Sequence, residues 1–316
     1  MSSVVQTVNP PGEMNTETTD ILHDFSPFFS VYKNGTLKRH AGSPFMPAPE
    51  NLNRVRSKDV TVSSDPKVTA RIFLPETLTP GQKLPVLMYL HGGGFCIESA
   101  LSYFYSPYTS SIASSCNAIV VSVDFRLAPE YKIPACYDDS WEGLKWIVSH
   151  VSGSGPDQWI NEHADFGRVF LAGDSSGANI AHTLATWTVL KGLESGVKIS
   201  GMFMIHPFFG NGIPNKIWDY CCSDETGVDD PRLNPVANPG LWTKLGCEKV
   251  LICTAENDFL SPCGWTYYEA LKESQWSGQV EIVETKGAGH VFHLFDPNCE
   301  MAGSLMKLVA SFINKD

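Results

Sequence analysis

The hydrophobic positions of this 316-residue chain follow two rhythms that alternate along most of its length. Continuous apolar runs at residues 84–90, 118–124, 169–172, 199–205 and 250–255 are too short for helices. They read as strands buried on both faces, with a last strand at 280–284. Between them lie stretches of helical spacing at residues 105–114, 137–151, from Ala178 onward, 264–275 and 298–315. In the second of these, Trp141, Leu144, Trp146 and Ile147 form an apolar face. Residues 59–63 and 68–74 precede the alternation and read as an antiparallel pair, since Val68, Ala70, Ile72 and Leu74 alternate. Buried strands alternating with helices after an antiparallel start imply an α/β fold, with a mostly parallel central sheet covered on both faces.

The amino-terminal part follows neither rhythm. Residues 1–19 are polar and read as a disordered tail. The spacing of Ile21, Leu22, Phe25, Phe28 and Phe29 predicts a short helix over residues 20–29. Residues 29–33 then meet Asn34-Gly35, a strong hairpin turn, and residues 36–39 return. Residues 41–58 are rich in proline and asparagine and read as an extended crossing. With no internal repeat and no low-complexity linker, residues 20–316 read as one domain. Cap elements from about 20–50 and from 207–235 are expected over its active end.

Composition narrows the partners. A formal net charge of −11 without a basic run argues against nucleic acid and against an anionic membrane surface. The nine cysteines show no Cys-x-x-Cys spacing and mostly sit in apolar segments, which suggests buried, reduced thiols. No apolar run in the first nineteen residues is long enough for a secretory signal or a membrane span. A cytoplasmic location is therefore expected.

Candidate chemistry is concentrated at Gly173-Asp-Ser175-Ser-Gly177, which ends a buried strand and opens a helix. That is the context of a nucleophile elbow, a sharp turn that exposes a serine hydroxyl. An acyl-transfer serine needs a base, a carboxylate to orient the base, and donors for the developing oxyanion. In this type of site the partners follow the serine in the order acid, then histidine. Asp258, at the end of the 250–255 strand, is the candidate acid, with Glu256 as the competing carboxylate in the same turn. His290 follows a glycine-rich turn after the last strand and is the candidate base, with His293 as its rival. The His-x-x-His pair lacks a third ligand for a metal. The run His91-Gly-Gly-Gly94 supplies candidate oxyanion amides at Gly93 and Gly94, joined by that of Ser176. This scheme needs no cofactor.

Five motifs carry a resemblance: His91-Gly-Gly-Gly-Phe95, Asp124-Phe-Arg-Leu-Ala-Pro-Glu130, Gly173-Asp-Ser-Ser-Gly-Ala-Asn179, Glu256-Asn-Asp258 and Gly289-His290-Val-Phe-His293. In this order they resemble the plant carboxylesterases of the hormone-sensitive-lipase class. Within that class the chain is similar to dehydratase-like and alkaloid-cyclase-like members, and a hormone receptor is a further relative. The resemblance implies an α/β-hydrolase fold with a small amino-terminal cap. It also implies a catalytic Ser175, Asp258 and His290 and hydrolysis of small esters of plant specialised metabolites. The chain keeps the histidine that the receptor lacks, and it has serine where some dehydratases have threonine. Both features favour an esterase over a lyase, a cyclase or a non-catalytic receptor. The segment from Asn211 to Val228 is shorter than the family's usual cap connection, which would reshape the pocket.

Several other residues have structural readings. Arg126, Glu130 and Asp174 are read as partners in buried ion pairs or hydrogen bonds. His182 is read as a core or helix-face histidine, and His206, at a strand end, as a structural histidine with its bonds met or else as a residue lining the pocket. Phe95, Tyr105, Trp159 and Trp218 serve either as core aromatics or as walls of an apolar acyl or aryl pocket. Cys96, beside the glycine run, reads as open to thiol reagents but is not a candidate nucleophile.

Overall fold

The computed structural model describes residues 20–315, apart from residues 77, 80, 194, 195, 225 and 226. The expected disordered tail, residues 1–19, lies outside them. The chain begins with a small antiparallel sheet of β1 (Ile21–Phe25), β2 (Phe29–Tyr32) and β3 (Leu37–Arg39). The antiparallel pair β4 (Val55–Ser64) and β5 (Lys67–Pro75) and the buried strand β6 (Leu84–Leu90) follow. Next come α1 (Tyr105–Cys116), β7 (Ile119–Asp124), α2 (Ala135–Val148), α3 (Gln158–His163), β8 (Ala164–Asp174) and α4 (Ser176–Leu190). The remainder is β9 (Ile199–Ile205), α5 (Lys216–Cys221), β10 (Cys247–Ala255), α6 (Ser261–Glu273), β11 (Gln279–Thr285), α7 (Phe292–Phe295) and α8 (Glu300–Asn314).

The main sheet has eight strands in the order β11-β10-β9-β8-β6-β7-β5-β4. It is antiparallel where β5 meets β4 and β7, and parallel elsewhere. Strand alternation divides its side chains between two apolar layers. Leu84, Val86, Met88 and Leu90 of β6 face Leu144, Ile147, Leu184 and Tyr267 of α2, α4 and α6. Leu87 and Tyr89 join the opposite layer with Ile112, Leu305 and Val309 of α1 and α8. Helices thus cover both faces, which is why the central strands are apolar throughout.

Residues 20–29 are not a helix. They form β1, a turn closed by the Phe28 N–H donating to the Phe25 carbonyl (2.9 Å), and the start of β2. A four-residue turn between two strands brings Phe25 and Phe29 together, with ring centroids 4.9 Å apart, and so imitates helical spacing. The expected crossing at 41–58 gives way to β4 at Val55. Two six-residue helices were not legible in the periodicity. α3 is capped by the Asp157 carboxylate, which accepts from the Trp159 amide, and α5 by the Asn215 side-chain oxygen, which accepts from the Ile217 and Trp218 amides.

Both amino-terminal and mid-chain segments reach the carboxyl ends of the strands. Arg39 donates to the Cys96 and Ala128 carbonyls (2.6 and 3.1 Å) and pairs with Glu130. Tyr220 of α5 packs on Phe25 and Phe29. Asn179, inside α4, donates to the carbonyls of Phe208 and Arg232 (3.1 and 2.6 Å), while the Tyr137 hydroxyl donates to its side-chain oxygen. The last residue of the Gly-Asp-Ser-Ser-Gly-Ala-Asn signature is therefore a tie between core helix and overlying loop.

The join of β6, β8 and α4 leaves no room for a side chain. A Cβ on Gly177 would sit 2.0 Å from the Leu90 carbonyl oxygen and 2.6 Å from that of His91. Both obstacles are backbone, so relief requires moving α4 off the sheet. Gly177→Ala is expected to cost roughly 2–5 kcal/mol or to prevent folding. Urea unfolding followed by circular dichroism measures it, and an unchanged midpoint would contradict the packing described.

Candidate active site

Ser175 occupies the corner between β8 and α4 at φ 52° and ψ −119°. A non-glycine residue there is strained by about 1–3 kcal/mol and persists only where its surroundings hold it. The neighbouring strand end does so. The Ser175 N–H donates to the Ile205 carbonyl (2.9 Å), and the Phe208 N–H donates to the Ser175 carbonyl (3.0 Å).

Asp258 lies in the turn after β10 and His290 in the turn after β11, and the parallel sheet brings both to the same end as Ser175. His290 Nε2 is 3.1 Å from Ser175 Oγ, and His290 Nδ1 is 2.7 Å from Asp258 Oδ2. The other carboxylate oxygen of Asp258 accepts from the Leu260 amide (2.9 Å). Burial pushes the Asp258 carboxyl up, but the bonds from His290 and Leu260 outweigh it and hold its pKa below the usual value. Of the rivals, Glu256 turns outward and accepts from Lys286 (3.2 Å) and the Gly287 amide (2.8 Å). His293 is buried, packs against Tyr108 with ring centroids 4.7 Å apart, and neither ring nitrogen has a partner among the described residues.

The glycine run curls back beside Ser175. Gly93 and Gly94 have φ of +105° and +60°, and the Gly93 carbonyl accepts from both the Cys96 and Ile97 amides (3.0 Å each). The Phe95 amide donates to Ser176 Oγ (3.3 Å), joining this loop to the elbow. The Gly93, Gly94 and Ser176 amides donate to no group among the described residues. Unpaired amides at a loop and a helix start are suited to an anionic oxygen.

Behind the serine, Asp174 is buried and accepts from the hydroxyls of Tyr89 (2.8 Å) and Tyr105 (2.7 Å). The Tyr105 hydroxyl in turn accepts from the Gly92 amide (2.8 Å), so one hydrogen-bond chain links the residue before Ser175 to the glycine loop. Tyr105 is thus a support and not a pocket wall. Phe95 and Trp218 pack on each other at 5.8 Å and are both buried. Trp159, on α3, receives Lys58 over its ring, and α3 leads into the opposite, amino end of β8, away from Ser175. Arg126 pairs with Asp139 and Glu130 with Arg39. His182 bonds Tyr267 (2.9 Å). His206 departs from its expected role, because only one of its ring nitrogens has a partner.

The α/β-hydrolase-fold family profile matches residues 87–294, from β6 into α7. The chain is 42% identical to probable carboxylesterase 13 of Arabidopsis thaliana, over 94% of this chain and 99% of that one. It belongs to the plant carboxylesterase family. A 2-hydroxyisoflavanone dehydratase of Glycyrrhiza echinata is 38% identical over 94% of this chain and 98% of its own. An esterase of Pyrobaculum calidifontis superimposes with a TM-score of 0.67 at 26% identity, covering 82% of this chain and 84% of that one.

In this family member His206, Asp258 and His290 are the one group among the described residues that brings metal-ligand types together, each offering an atom within 4.8 Å of the others. Asp258 and His290 are bonded directly to each other, which suits proton handling better than a shared cation. No helix among the described residues is long and apolar enough to cross a membrane.

Burial raises the Asp174 carboxyl to about 6 from its ordinary 3.8, against the opposing pull of both tyrosines and His290. A carboxyl with a raised folded pKa contributes stability that is complete below the unfolded value and lost as pH rises through the folded one. Between pH 4 and 7 the protein should therefore lose up to about 3 kcal/mol relative to its Asp174→Asn variant. Urea unfolding of both proteins across that range reads the difference, and parallel curves would contradict it.

Proposed function

We propose that this chain is a serine carboxylesterase that cleaves small esters through an acyl-enzyme. Ser175 Oγ attacks the ester carbonyl while His290 Nε2 takes its proton, and Asp258 holds His290 Nδ1–H and stabilises the imidazolium. The amides of Gly93, Gly94 and Ser176 receive the oxyanion. His290 then protonates the departing alkoxide, and water, activated by the same imidazole, attacks the acyl carbonyl and restores Ser175. The single observation that carries this reading is the unbroken bond chain from Asp258 through His290 to Ser175 beside unpaired amides.

Residues of about 20–50 and 207–235 act as a cap over this site. Phe28 supports this, since a Cβ on Gly94 would lie 2.7 Å from its ring. Phe259 is 78% exposed with its ring 5.5 Å from that of His290. Aromatic side chains at the mouth favour esters with an apolar or aryl part, in keeping with plant specialised metabolites as the substrate class. The nine cysteines are all unpaired, which supports a reducing compartment such as the cytoplasm.

Ser175→Ala is expected to lower kcat/KM for p-nitrophenyl butyrate by at least about 10⁴-fold, and Asp258→Asn by about 10³–10⁴-fold. A fluorophosphonate should add one adduct mass to the wild type, at Ser175, and none to Ser175→Ala. Ester turnover that survives Ser175→Ala would overturn the reading and turn attention to a lyase using His290 as base.

A further inference from the structure

His206 follows the last residue of β9, is 1% exposed, and has φ +48°. Its backbone N–H donates to the Cys253 carbonyl (2.7 Å) on β10. In its side chain, Nδ1 accepts from the Val291 amide at 2.9 Å. Val291 directly follows His290 and is itself at φ +45°. Meanwhile the neighbours of His206 hold the serine, through the Ile205 carbonyl and the Phe208 amide. One stretch of four residues therefore grips the serine corner by its backbone and the histidine turn by its ring.

We propose that His206 is a positioning residue for His290: its Nδ1 fixes the Val291 amide and thereby the reach from His290 Nε2 to Ser175 Oγ. This rests on the serine-esterase reading above. Accepting from an amide requires a bare Nδ1, so the neutral ring carries its proton on Nε2. That nitrogen is buried and has no partner among the described residues. Burial, together with His293 and His290, lowers the His206 pKa to about 3, so the ring stays neutral and does not compete with His290 for the Asp258 charge. A side chain kept only for packing would not need an imidazole here. An apolar side chain of similar size would fill the space without burying an unpaired N–H.

Two substitutions separate an acceptor role from packing. In H206N the side-chain oxygen hangs from Cγ as Nδ1 does in histidine and can accept from Val291. H206L keeps volume and loses the acceptor. With p-nitrophenyl butyrate, H206L is expected to lose kcat by on the order of 10²-fold, as sub-ångström to ångström displacement of a base does, with KM within about twofold. H206N should recover to within about fivefold of wild type. If H206L does not fold, H206A replaces it as the acceptor-free member of the pair. Thermal unfolding of each variant confirms that the assayed protein is native. The proposal fails if H206L keeps wild-type kcat, if the loss falls in KM, or if H206N is as slow as H206L at equal stability. Ser175→Ala assayed alongside distinguishes the two levels. Loss of activity there with an indifferent His206 refutes only the positioning role, whereas survival of activity refutes the esterase reading itself.

Discussion

The site depends on how closely α4 approaches the end of β6. With no Cβ at Gly173 or Gly177, the first turn of α4 rests on the carbonyls of Leu90 and His91. That contact leaves no space for a gradual strand-to-helix transition. The chain turns instead within one residue, and Ser175 takes the strain. Two consequences follow from the same geometry. The serine side chain is held out from the sheet, and the first amides of α4 remain unpaired beside it. The glycine loop that continues from β6 lies against them because Leu90 and His91 are part of the same contact.

Two aspartates near Ser175 show how position sets charge. Asp174 is enclosed in the core, and two tyrosine hydroxyls compensate only part of the cost of its burial, so its carboxyl titrates high. Asp258 is also buried, but it receives an imidazole N–H and a backbone amide, and its ionised form is favoured. Asp174 braces the glycine loop through Tyr105, whereas Asp258 faces the imidazole. The same side chain thus serves as scaffold in one turn and as electrostatic partner in the next.

The loops over the strand ends are held by polar ties as well as by apolar side chains that join the core, among them Phe29, Trp218 and Leu233. Arg39 reaches the carbonyls behind the glycine loop, and Asn179 reaches up from α4 to the loop above. Phe28 lies over Gly94, and Phe259, in the turn after β10, is exposed beside His290. The segments that carry these ties lie outside the main sheet. Such segments can change in length without disturbing the sheet.

The chain by itself determined the alternation of buried strands and helices, the parallel sheet and the elbow. All of these are written in local periodicity or in residues that a tight turn demands. It misled at residues 20–29, where a turn between strands copies helical spacing, and it was silent on α3 and α5, which are too short to show a period. Tertiary structure alone showed that Asp258 and not Glu256 bonds His290, and that His290 and not His293 reaches Ser175 Oγ. Each pair lies within one turn, and only the direction in which the sheet presents that turn separates an inward side chain from an outward or buried one. The same holds for His206 and for the Asp174–Tyr105–Gly92 chain. Their partners are far apart in sequence, and no local pattern encodes a hydrogen bond that exists only once β9, β11 and the glycine loop converge.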